Sequence, residues 1–321
     1  CSGAGLGLRP GDIYQGAFPF FTSSALNLAA MSCWVAGASL VIEGQIDTHA
    51  RLSLIASEGT GFYHGVPSVL NFMAREYDPE RHDLSGLRTI AYGGATMPGE
   101  LVTRIAAIWP RARQVQIYGM TESGPAGTVL PPECMDNKPG SVGRVMPEME
   151  LAILDEAGQP VPRGKSGEIA LSGPSIALGY FHDPDATARA FAGRRVVTGD
   201  IGRLDADGFL VFEDRKKDLI NRGGFKIASA RVEQVLYRHP DVLEAAVIAI
   251  PHPDLGEDIA ACVVLRDPSD TDPDRLEAFC REHLTDNEVP RRFAVLEQLP
   301  KSPMGKVLKT ELRAFWAGLQ H

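Results

Sequence analysis

The sequence predicts an α/β protein in which a parallel sheet is layered with helices, followed by a small antiparallel β unit and a separate C-terminal α+β domain. From residue 13 to 122, apolar strand-like runs alternate with amphipathic helical segments, a pattern typical of parallel sheets. From about 140 to 213, short strands and turn residues replace the helices. After Arg215 a charged run and a glycine pair precede a new helical pattern. The predicted domains are therefore residues 1–139, 140–214 and 215–321.

The first region contains five predicted strands separated by helices. The strands are short apolar runs at residues 14–18, 39–42, 60–63, 87–92 and 114–117. Helices are predicted at about 24–34, in "PSVLNFMARE" and in "PGELVTRIAAIW". In the last of these, Leu101, Ile105 and Ile108 recur at helical spacing after Pro98, a residue that suits the first helical position.

The opening stretch, "CSGAGLGLRPGD", resembles a phosphate-binding loop only superficially. Its G-A-G-L-G spacing lacks the GxGxxG register, and no predicted strand precedes it. We predict the tail of a helix followed by the turn "RPGD", with glycines that bind no phosphate.

The β unit is predicted from "MELAILDEAGQPV", "GEIALSG" and "RLDADGFLVFEDR", the last with Asp207 and Gly208 in a hairpin turn. The C-terminal domain then opens with a helix that carries Val232, Val235 and Leu236. Two strands follow, "LEAAVIAI" and "IAACVVL". A helix capped at Asp272 and Pro273 faces inward through Leu276, Phe279 and Cys280, and the apolar positions of the last helix are Leu312, Phe315, Trp316 and Leu319.

Composition excludes several classes of function. The 321 residues are enough for about two domains, and with 44% hydrophobic and 23% charged residues the chain can form buried cores. A net charge of -9 leaves no basic stripe for a nucleic acid. The five cysteines are scattered, with no CxxC pair and no histidine at a metal-ligand spacing, which predicts reduced thiols in a cytoplasmic protein without a zinc site.

A stretch without charged residues separates Asp12 from Glu43 and is long enough to cross a bilayer. It also holds Gln15, Thr22 and Asn27. We therefore predict a buried α/β layer and no transmembrane segment. No basic region precedes the apolar run, so no signal peptide is expected. The first residue is Cys, which suggests a chain cut from a longer one.

Two glycine-containing loops each follow a predicted strand: "YGGATMPGE" at 92–100 and "YGMTESG" at 118–124. Ligands of open parallel sheets bind beyond the carboxyl ends of the strands. Gly93 and Gly94 would let the backbone approach a flat ligand, and Tyr118 offers an aromatic face. Thr121 offers a hydroxyl to an anion and Glu122 a carboxylate to Mg²⁺. The alternative for either loop is an ordinary glycine turn.

Three further features each have a plain alternative. In "TGD", Asp200 lies at a predicted turn before the hairpin, where it could accept both hydroxyls of a ribose or serve only as a turn residue. "DRKKDLINRGGFKIASARVE" suits a hinge or a solvated linker. "PKSPMGKVLK" puts a lysine in a Pro/Gly-bounded loop, where a mobile surface lysine is the alternative.

In this order and at these spacings, five motifs resemble the adenylate-forming superfamily, which comprises acyl-CoA synthetases, peptide-synthetase adenylation domains and luciferases. The motifs are "YGMTE", "GEIALSGPSIALGYFHDP", "TGD", "DRKKDLINRGGFKI" and "PKSPMGK", and the fourth resembles the acyl-CoA synthetase branch. The resemblance makes residues 1–139 the C-terminal part of a large adenylate-binding domain. It makes 140–214 the β subdomain of that domain and 215–321 a mobile C-terminal domain.

The resemblance implies an AMP site. Thr121 would contact the AMP phosphate and Glu122 would hold Mg²⁺, while Asp200 and Arg215 would hold the ribose. The remaining AMP-binding residues that it implies are Gly94, Ala95, Thr96, Tyr118, Gly119 and Met120, with Tyr118 stacking on the adenine.

The resemblance also implies residues for the other steps. Lys306 would be the adenylation lysine that bridges the carboxylate and the α-phosphate, and Lys217 the hinge between two half-reactions. Gly223 and Gly224 would border the channel for CoA. An apolar acyl pocket would be walled by Phe18, Phe20, Phe21, Tyr63 and Val66, unless these are simply core residues.

The implied function is an acyl-CoA ligase that activates a carboxylic acid as acyl-AMP, converts ATP to AMP and pyrophosphate, uses Mg²⁺, and transfers the acyl group to CoA.

The sequence departs from the family pattern at two points that bear on this function. Thr22 stands where many acyl-CoA synthetases have a histidine. The family's phosphate loop does not occur in these residues. We expect either that it belongs to another part of a longer ligase or that the protein only binds, or passes to a thiol, a pre-formed acyl-AMP. Transfer to a carrier protein stays open, as do the acid and the oligomeric state.

Overall fold

The computed structural model describes residues 2–44, 46–95, 97–135, 137–138, 140–266, 270–302 and 305–319. The chain divides into two compact units, Cys1–Phe212 and Glu213–His321. The division lies two residues from the predicted start of the C-terminal domain at 215. Residues 140–212 of the predicted β subdomain lie within the first unit, and their strands belong to its sheet, with β12 continuing to Arg215.

The first unit contains a twelve-stranded sheet. Its strands are β1 (Ile13–Gly16), β2 (Ser39–Ile42), β3 (Phe62–Gly65), β4 (Thr89–Gly93), β5 (Arg113–Tyr118), β6 (Thr128–Leu130), β7 (Ser141–Val145), β8 (Glu150–Leu154), β9 (Gly167–Ser172), β10 (Phe191–Ala192), β11 (Arg195–Leu204) and β12 (Leu210–Arg215). Its helices are α1 (Ser2–Leu6), a π-helix (Ser24–Ala30), α2 (Met31–Ala36), α3 (Thr48–Glu58), α4 (Pro67–Glu76), α5 (Gly99–Ile108) and α6 (Pro184–Ala190).

The sheet changes from parallel to antiparallel between β5 and β6. Strands β2, β1, β3, β4 and β5 are neighbours in that order and all run parallel. From β6 onward the order continues β7, β12, β11, β9 and β8, and the pairs β5–β6, β6–β7, β7–β12, β9–β11 and β8–β9 are antiparallel. The predicted fold class is confirmed, with the small β unit joined edge to edge to the parallel sheet.

The parallel strands separate two hydrophobic cores. Successive residues of a strand point to opposite faces. In β3, Phe62 therefore joins the core that contains Tyr14 and Ile117, whereas Tyr63 joins the core built with helices α3, α4 and α5. All residues of β3 and β4 are buried, as is typical of central strands in a parallel sheet that is covered on both faces.

Several predicted boundaries differ from those observed. Helix α3 was not predicted; its start is marked by Asp47, whose side chain accepts from the amide of Ala50. Pro98 is the N-cap of α5 and not its first residue. The predicted hairpin turn is present, and Gly208 there has a φ of 82°. The Asp205 carboxylate accepts from the amides of Asp207 and Phe209 at 2.9 and 2.8 Å in the same turn.

The second unit is a five-stranded sheet with three helices among its described residues. Its elements are β13 (Ile220–Arg222), β14 (Phe225–Ile227), α7 (Ser229–Leu236), β15 (Val242–His252), β16 (Gly256–Leu265), α8 (Pro273–His283), β17 (Arg292–Val295) and α9 (Lys309–Leu319). As predicted, Asp272 caps α8, and Leu276 and Cys280 are buried. In α9, Leu312 and Trp316 are buried, whereas Phe315 is 40% exposed.

Within the described ranges, no helix combines the length and apolar character needed to cross a membrane. The described cysteines Cys33, Cys134, Cys262 and Cys280 are all free thiols.

Candidate active site

The two predicted glycine loops lie side by side because they follow neighbouring parallel strands. Gly93, the last residue of β4, is opposite Ile117 of β5. A Cβ on Gly93 would lie 2.4 Å from the Ile117 carbonyl oxygen, so only glycine allows this approach. Gly94, with a φ of 78°, and Ala95 follow as exposed residues. Thr96, also expected at the adenine, lies outside the described residues.

The loop after β5 is a tight turn held by its own side chains. A Cβ on Gly119 would lie 2.1 Å from the Pro125 carbonyl oxygen. Met120 precedes a 3₁₀ turn, Thr121–Ser123, whose last residue donates its hydroxyl to the Met120 carbonyl at 2.9 Å. Gly124 then leaves the turn with a φ of 78°. The turn presents Thr121 as an exposed residue and Glu122 as a half-buried one.

Asp200 joins this site although it is distant in sequence. The Tyr118 hydroxyl donates to Asp200 Oδ2 at 2.7 Å. Asp200 lies within β11 and not in the predicted turn, but the register of β11 against β9 shifts between Val197 and Ile201. Gly199 has a φ of 74° at this irregularity, which is typical of a bulge that redirects a side chain.

Two polar partners of the turn were not predicted from sequence. Ser23 and Thr121 share a hydrogen bond of 2.9 Å between their hydroxyls. Tyr180 donates its phenol to Glu122 Oε1 at 2.7 Å. Tyr180 lies in the quoted segment "GPSIALGYFHDP", so the motif was noticed but the role of its tyrosine was not.

The predicted acyl-pocket residues divide between the two faces of the sheet. Phe18 is buried with its ring 4.6 Å from that of His64, which pairs through Nδ1 with the Tyr14 hydroxyl at 2.6 Å. Tyr63 lies in the other core, with α3, α4 and α5. The structure therefore separates Tyr63 from Phe18.

The other pocket residues differ in exposure. Phe20 and Phe21 are 38% and 85% exposed, while Val66 is buried at the N-cap of α4. Thr22, the residue in place of the family histidine, has a local role: its hydroxyl donates to the Pro19 carbonyl at 2.8 Å and accepts from the Ala25 amide at 3.3 Å.

Four candidate positions belong to the second unit. Arg215 ends β12, and Lys217 lies in the following turn; both are exposed. Gly223 and Gly224, with φ values of 58° and 92°, form the two-residue turn between β13 and β14. Positive φ at both central residues is typical of a type I′ hairpin turn, so the pair is part of a regular hairpin.

Lys306 lies half-buried in a hairpin-like loop of the second unit. Lys301 and Val307 form a bridge at the base of this loop. Inside it, the Ser302 amide donates to the Lys306 carbonyl at 2.8 Å and the Ser302 hydroxyl accepts from the Lys306 amide at 3.2 Å. These bonds hold the backbone of the lysine that the motif singled out.

A buried polar network of the second unit lies next to these residues in sequence. Lys309 Nζ is 2.7 Å from Glu233 Oε1 and donates to the Ser229 hydroxyl at 2.7 Å. The Ser229 hydroxyl is 3.2 Å from Asp214 Oδ1, which also accepts from the Arg215 amide at 2.7 Å. Burial raises the pKa of both Asp214 and Glu233, although Lys309 opposes the shift.

The side chains of this site can hold a Mg²⁺ ion if a nucleotide supplies some of the remaining ligands. Among the described residues, no group of three or more His, Cys, Asp or Glu side chains could cage a metal. Glu122 supplies one carboxylate, and Mg²⁺ in nucleotide enzymes is held by one or two carboxylates together with phosphates and water. The residues present therefore fit such an ion.

Comparison with known proteins gives two family matches. Residues 2–181 match the family described as AMP-binding enzyme, and residues 231–306 match the AMP-binding enzyme C-terminal domain. The chain is similar to the feruloyl-CoA synthase of an Amycolatopsis species, with 36% identity over 297 residues, or 92% of this chain and 60% of that enzyme. It is 34% identical over 311 residues to the long-chain-fatty-acid–CoA ligase of Salmonella typhimurium, covering 95% of this chain and 54% of the relative.

A solved structure shares the fold. The amide bond synthetase McbA from Marinactinospora thermotolerans superimposes with a TM-score of 0.89 at 33% identity, over 98% of this chain and 63% of that one. The chain thus spans between 54% and 63% of the length of these relatives.

Proposed function

The chain belongs to the AMP-binding enzyme family, and on this premise we propose that it serves an acid–thiol ligase that makes acyl-AMP from a carboxylic acid and ATP and then an acyl-CoA. The observation that carries the proposal is the hydrogen bond from Tyr118 to Asp200, which joins two of the five motifs in one site. The turn that bears Thr121 and Glu122 follows Tyr118 directly.

In this proposal, Asp200 accepts the ribose hydroxyls and Tyr118 offers its ring to the adenine. Gly93 and Gly94 let the backbone approach the base, with Ala95, Thr96, Gly119 and Met120 completing the nucleotide site. Arg215 assists at the ribose. Thr121 donates its hydroxyl to the α-phosphate, a role for which it must give up or share its bond with Ser23.

A carboxylate is a poor acyl donor because its negative charge repels nucleophiles and its leaving group would be oxide. When the carboxylate oxygen attacks the α-phosphorus, a P–O bond forms and the bond to pyrophosphate breaks. Lys306 would offset the charge that develops on the phosphorus oxygens. Glu122 would hold Mg²⁺, which when bound supplies further charge neutralisation at the phosphates.

The second step replaces AMP by a thiol. The thiolate sulfur attacks the acyl carbon, the C–S bond forms, and AMP leaves with the electron pair of the C–O bond. Positioning is the main requirement for this reaction. We propose that Lys217 is the hinge for the change between steps and that Gly223 and Gly224 border the path of the CoA arm.

The acid is proposed to lie against Phe18, with Phe20, Phe21 and Val66 as further wall residues. Tyr63, predicted as a wall residue, is omitted because it lies on the other face of β3. A bulky apolar acid, aromatic or aliphatic, suits these side chains. The relatives support both classes, since one is named for a feruloyl and one for a long-chain fatty acyl substrate.

The test is exchange of labelled pyrophosphate into ATP by the intact protein, with a panel of aromatic and aliphatic acids. We expect exchange with at least one acid and a loss of about 100-fold or more in Lys306→Ala, the scale of removing one transition-state donor. Lys165→Ala, which alters an exposed lysine of the first unit, is the matched control and is expected to keep the activity.

No exchange, together with CoA-dependent consumption of synthetic acyl-AMP, would instead identify a thioester-only enzyme. Preference for a carrier-protein thiol over CoA would overturn the proposed acceptor.

A further inference from the structure

The segment 173–181 lies against the turn that bears Thr121 and Glu122. The Ser175 hydroxyl donates to the Ser123 carbonyl at 2.8 Å, and the Ala177 amide donates to the Glu122 carbonyl at 2.9 Å. The approach is close, since a Cβ on Gly124 would lie 2.5 Å from the Ser175 carbonyl oxygen. The backbone of the turn is thus held from one side by this segment.

Tyr180 extends the same contact to the side chain of Glu122. Its phenol donates to Glu122 Oε1 at 2.7 Å, and among the described residues this is the one side chain that donates to that carboxylate. A tyrosine phenol is protonated at neutral pH and therefore acts as a donor to the carboxylate.

The position of Tyr180 is itself fixed. Its amide donates to the Thr187 hydroxyl at 2.8 Å, and its ring packs edge-on against Phe191 with centroids 5.4 Å apart. Gly179 has a φ of 151°, and a Cβ there would lie 2.5 Å from Thr187 Cγ2. The loop can therefore keep the phenol at one place beside the carboxylate.

We propose that Tyr180 is a positioning residue that orients the Glu122 carboxylate toward a divalent cation on the nucleotide. The inference rests on the proposed function. A phenol that donates to one carboxylate oxygen fixes the plane of the group and leaves the other oxygen for a hard cation. Loss of such an outer partner of a metal ligand typically costs about 10–100-fold in metal affinity.

The test compares ATP binding by the intact protein with Mg²⁺ and with EDTA, measured by isothermal titration calorimetry. The dissociation constant in EDTA divided by that with Mg²⁺ is the factor by which the cation tightens ATP binding. This ratio reports the contribution of the cation without any turnover. Tyr180→Phe removes one hydroxyl and keeps the ring, so it is expected to lower this ratio about 10-fold and to leave binding in EDTA unchanged. Thermal unfolding of the variant checks that the fold is retained.

Two variants calibrate the measurement. Tyr77→Phe deletes a phenol elsewhere in the first unit and is expected to keep the wild-type ratio. Glu122→Gln is expected to lower the ratio at least as far as Tyr180→Phe. An unchanged or higher ratio in Tyr180→Phe, or an equal loss in EDTA, would overturn the inference while the proposed function stands. A wild type that binds no ATP would overturn both.

Discussion

The phenol of Tyr118 donates a 2.7 Å hydrogen bond to Oδ2 of Asp200, across 82 residues of sequence. The bond holds an aromatic ring and a carboxylate at fixed positions, as the proposed recognition of a nucleoside requires.

The first prediction concerns this pair. Asp200→Ala should weaken AMP binding about 100-fold, because two charge-assisted hydrogen bonds to ribose contribute about 3 kcal/mol together. Tyr118→Phe keeps the ring and should weaken it only about 5-fold. Calorimetric titration with AMP checks both. Glu58→Ala, which changes an exposed carboxylate of the same unit, should bind as the wild type does. Equal affinities for AMP in Asp200→Ala and the wild type would contradict the ribose role.

The second prediction concerns the backbone of the site. In Gly119→Ala the new methyl group would meet the Pro125 carbonyl oxygen at 2.1 Å, so the turn must shift. We expect a loss of about 2 kcal/mol or more in the free energy of unfolding. Gly86→Ala is the matched control, because nothing lies within 4 Å of its added Cβ, and it should stay within about 0.5 kcal/mol. Urea unfolding compares them, and equal midpoints would contradict the prediction.

How well the sequence predicted a contact in the site depends on how it arises: from a regular pairing of strands or from the folding of one loop over another. The two glycine loops were predicted to meet because adjacent parallel strands end at one edge of a sheet, and β4 and β5 are adjacent. The bond from Tyr180 to Glu122 spans 58 residues and depends on how one loop folds over another. No periodicity in the sequence encodes that arrangement.

The faces of single residues were harder to predict than the elements that carry them. The strand with Tyr63 was predicted two residues away from its observed position, and Tyr63 was assigned to the acyl pocket with Phe18, with an ordinary core position as the alternative. Since side chains alternate along a strand, aromatic character alone does not tell one face from the other when both are buried. On a helix, Phe315 shows that apolar character alone does not decide burial, because it adjoins buried Trp316 yet is 40% exposed.

The third prediction concerns pH. Burial lowers the pKa of His64 from 6.5 to about 3. Between these values the unfolded chain binds a proton that the folded chain does not, so stability must fall as the pH falls below about 6.5. From about pH 7.5 to about pH 5 this costs roughly 2 kcal/mol.

Urea unfolding of His64→Leu and the wild type at the two pH values isolates this contribution. The variant should be less stable at neutral pH, because the Tyr14 hydroxyl loses its partner, but its stability should change less with pH. His49→Gln alters an exposed histidine and should keep the wild-type dependence. A His64→Leu variant as pH-sensitive as the wild type would show that His64 is protonated in the folded protein.

The fourth prediction concerns the ion pair between Lys309 and Glu233, whose side chains are each 17% exposed. Lys309→Met should cost about 3 kcal/mol of unfolding free energy, because it leaves a buried carboxylate without its counter-ion. Burial already raises the pKa of Glu233. A carboxyl group whose pKa is raised on folding stabilises the folded state at low pH, and this stabilisation is lost as the pH rises. The defect should therefore shrink on acidification and be partly reversed by adding Glu233→Gln, as urea unfolding can measure.

The control is Arg281→Met, which breaks more exposed ion pairing and should lower the free energy of unfolding by no more than about 1 kcal/mol. If the Lys309→Met defect neither varied with pH nor responded to Glu233→Gln, lost packing of the lysine chain, and not its charge, would be the cause.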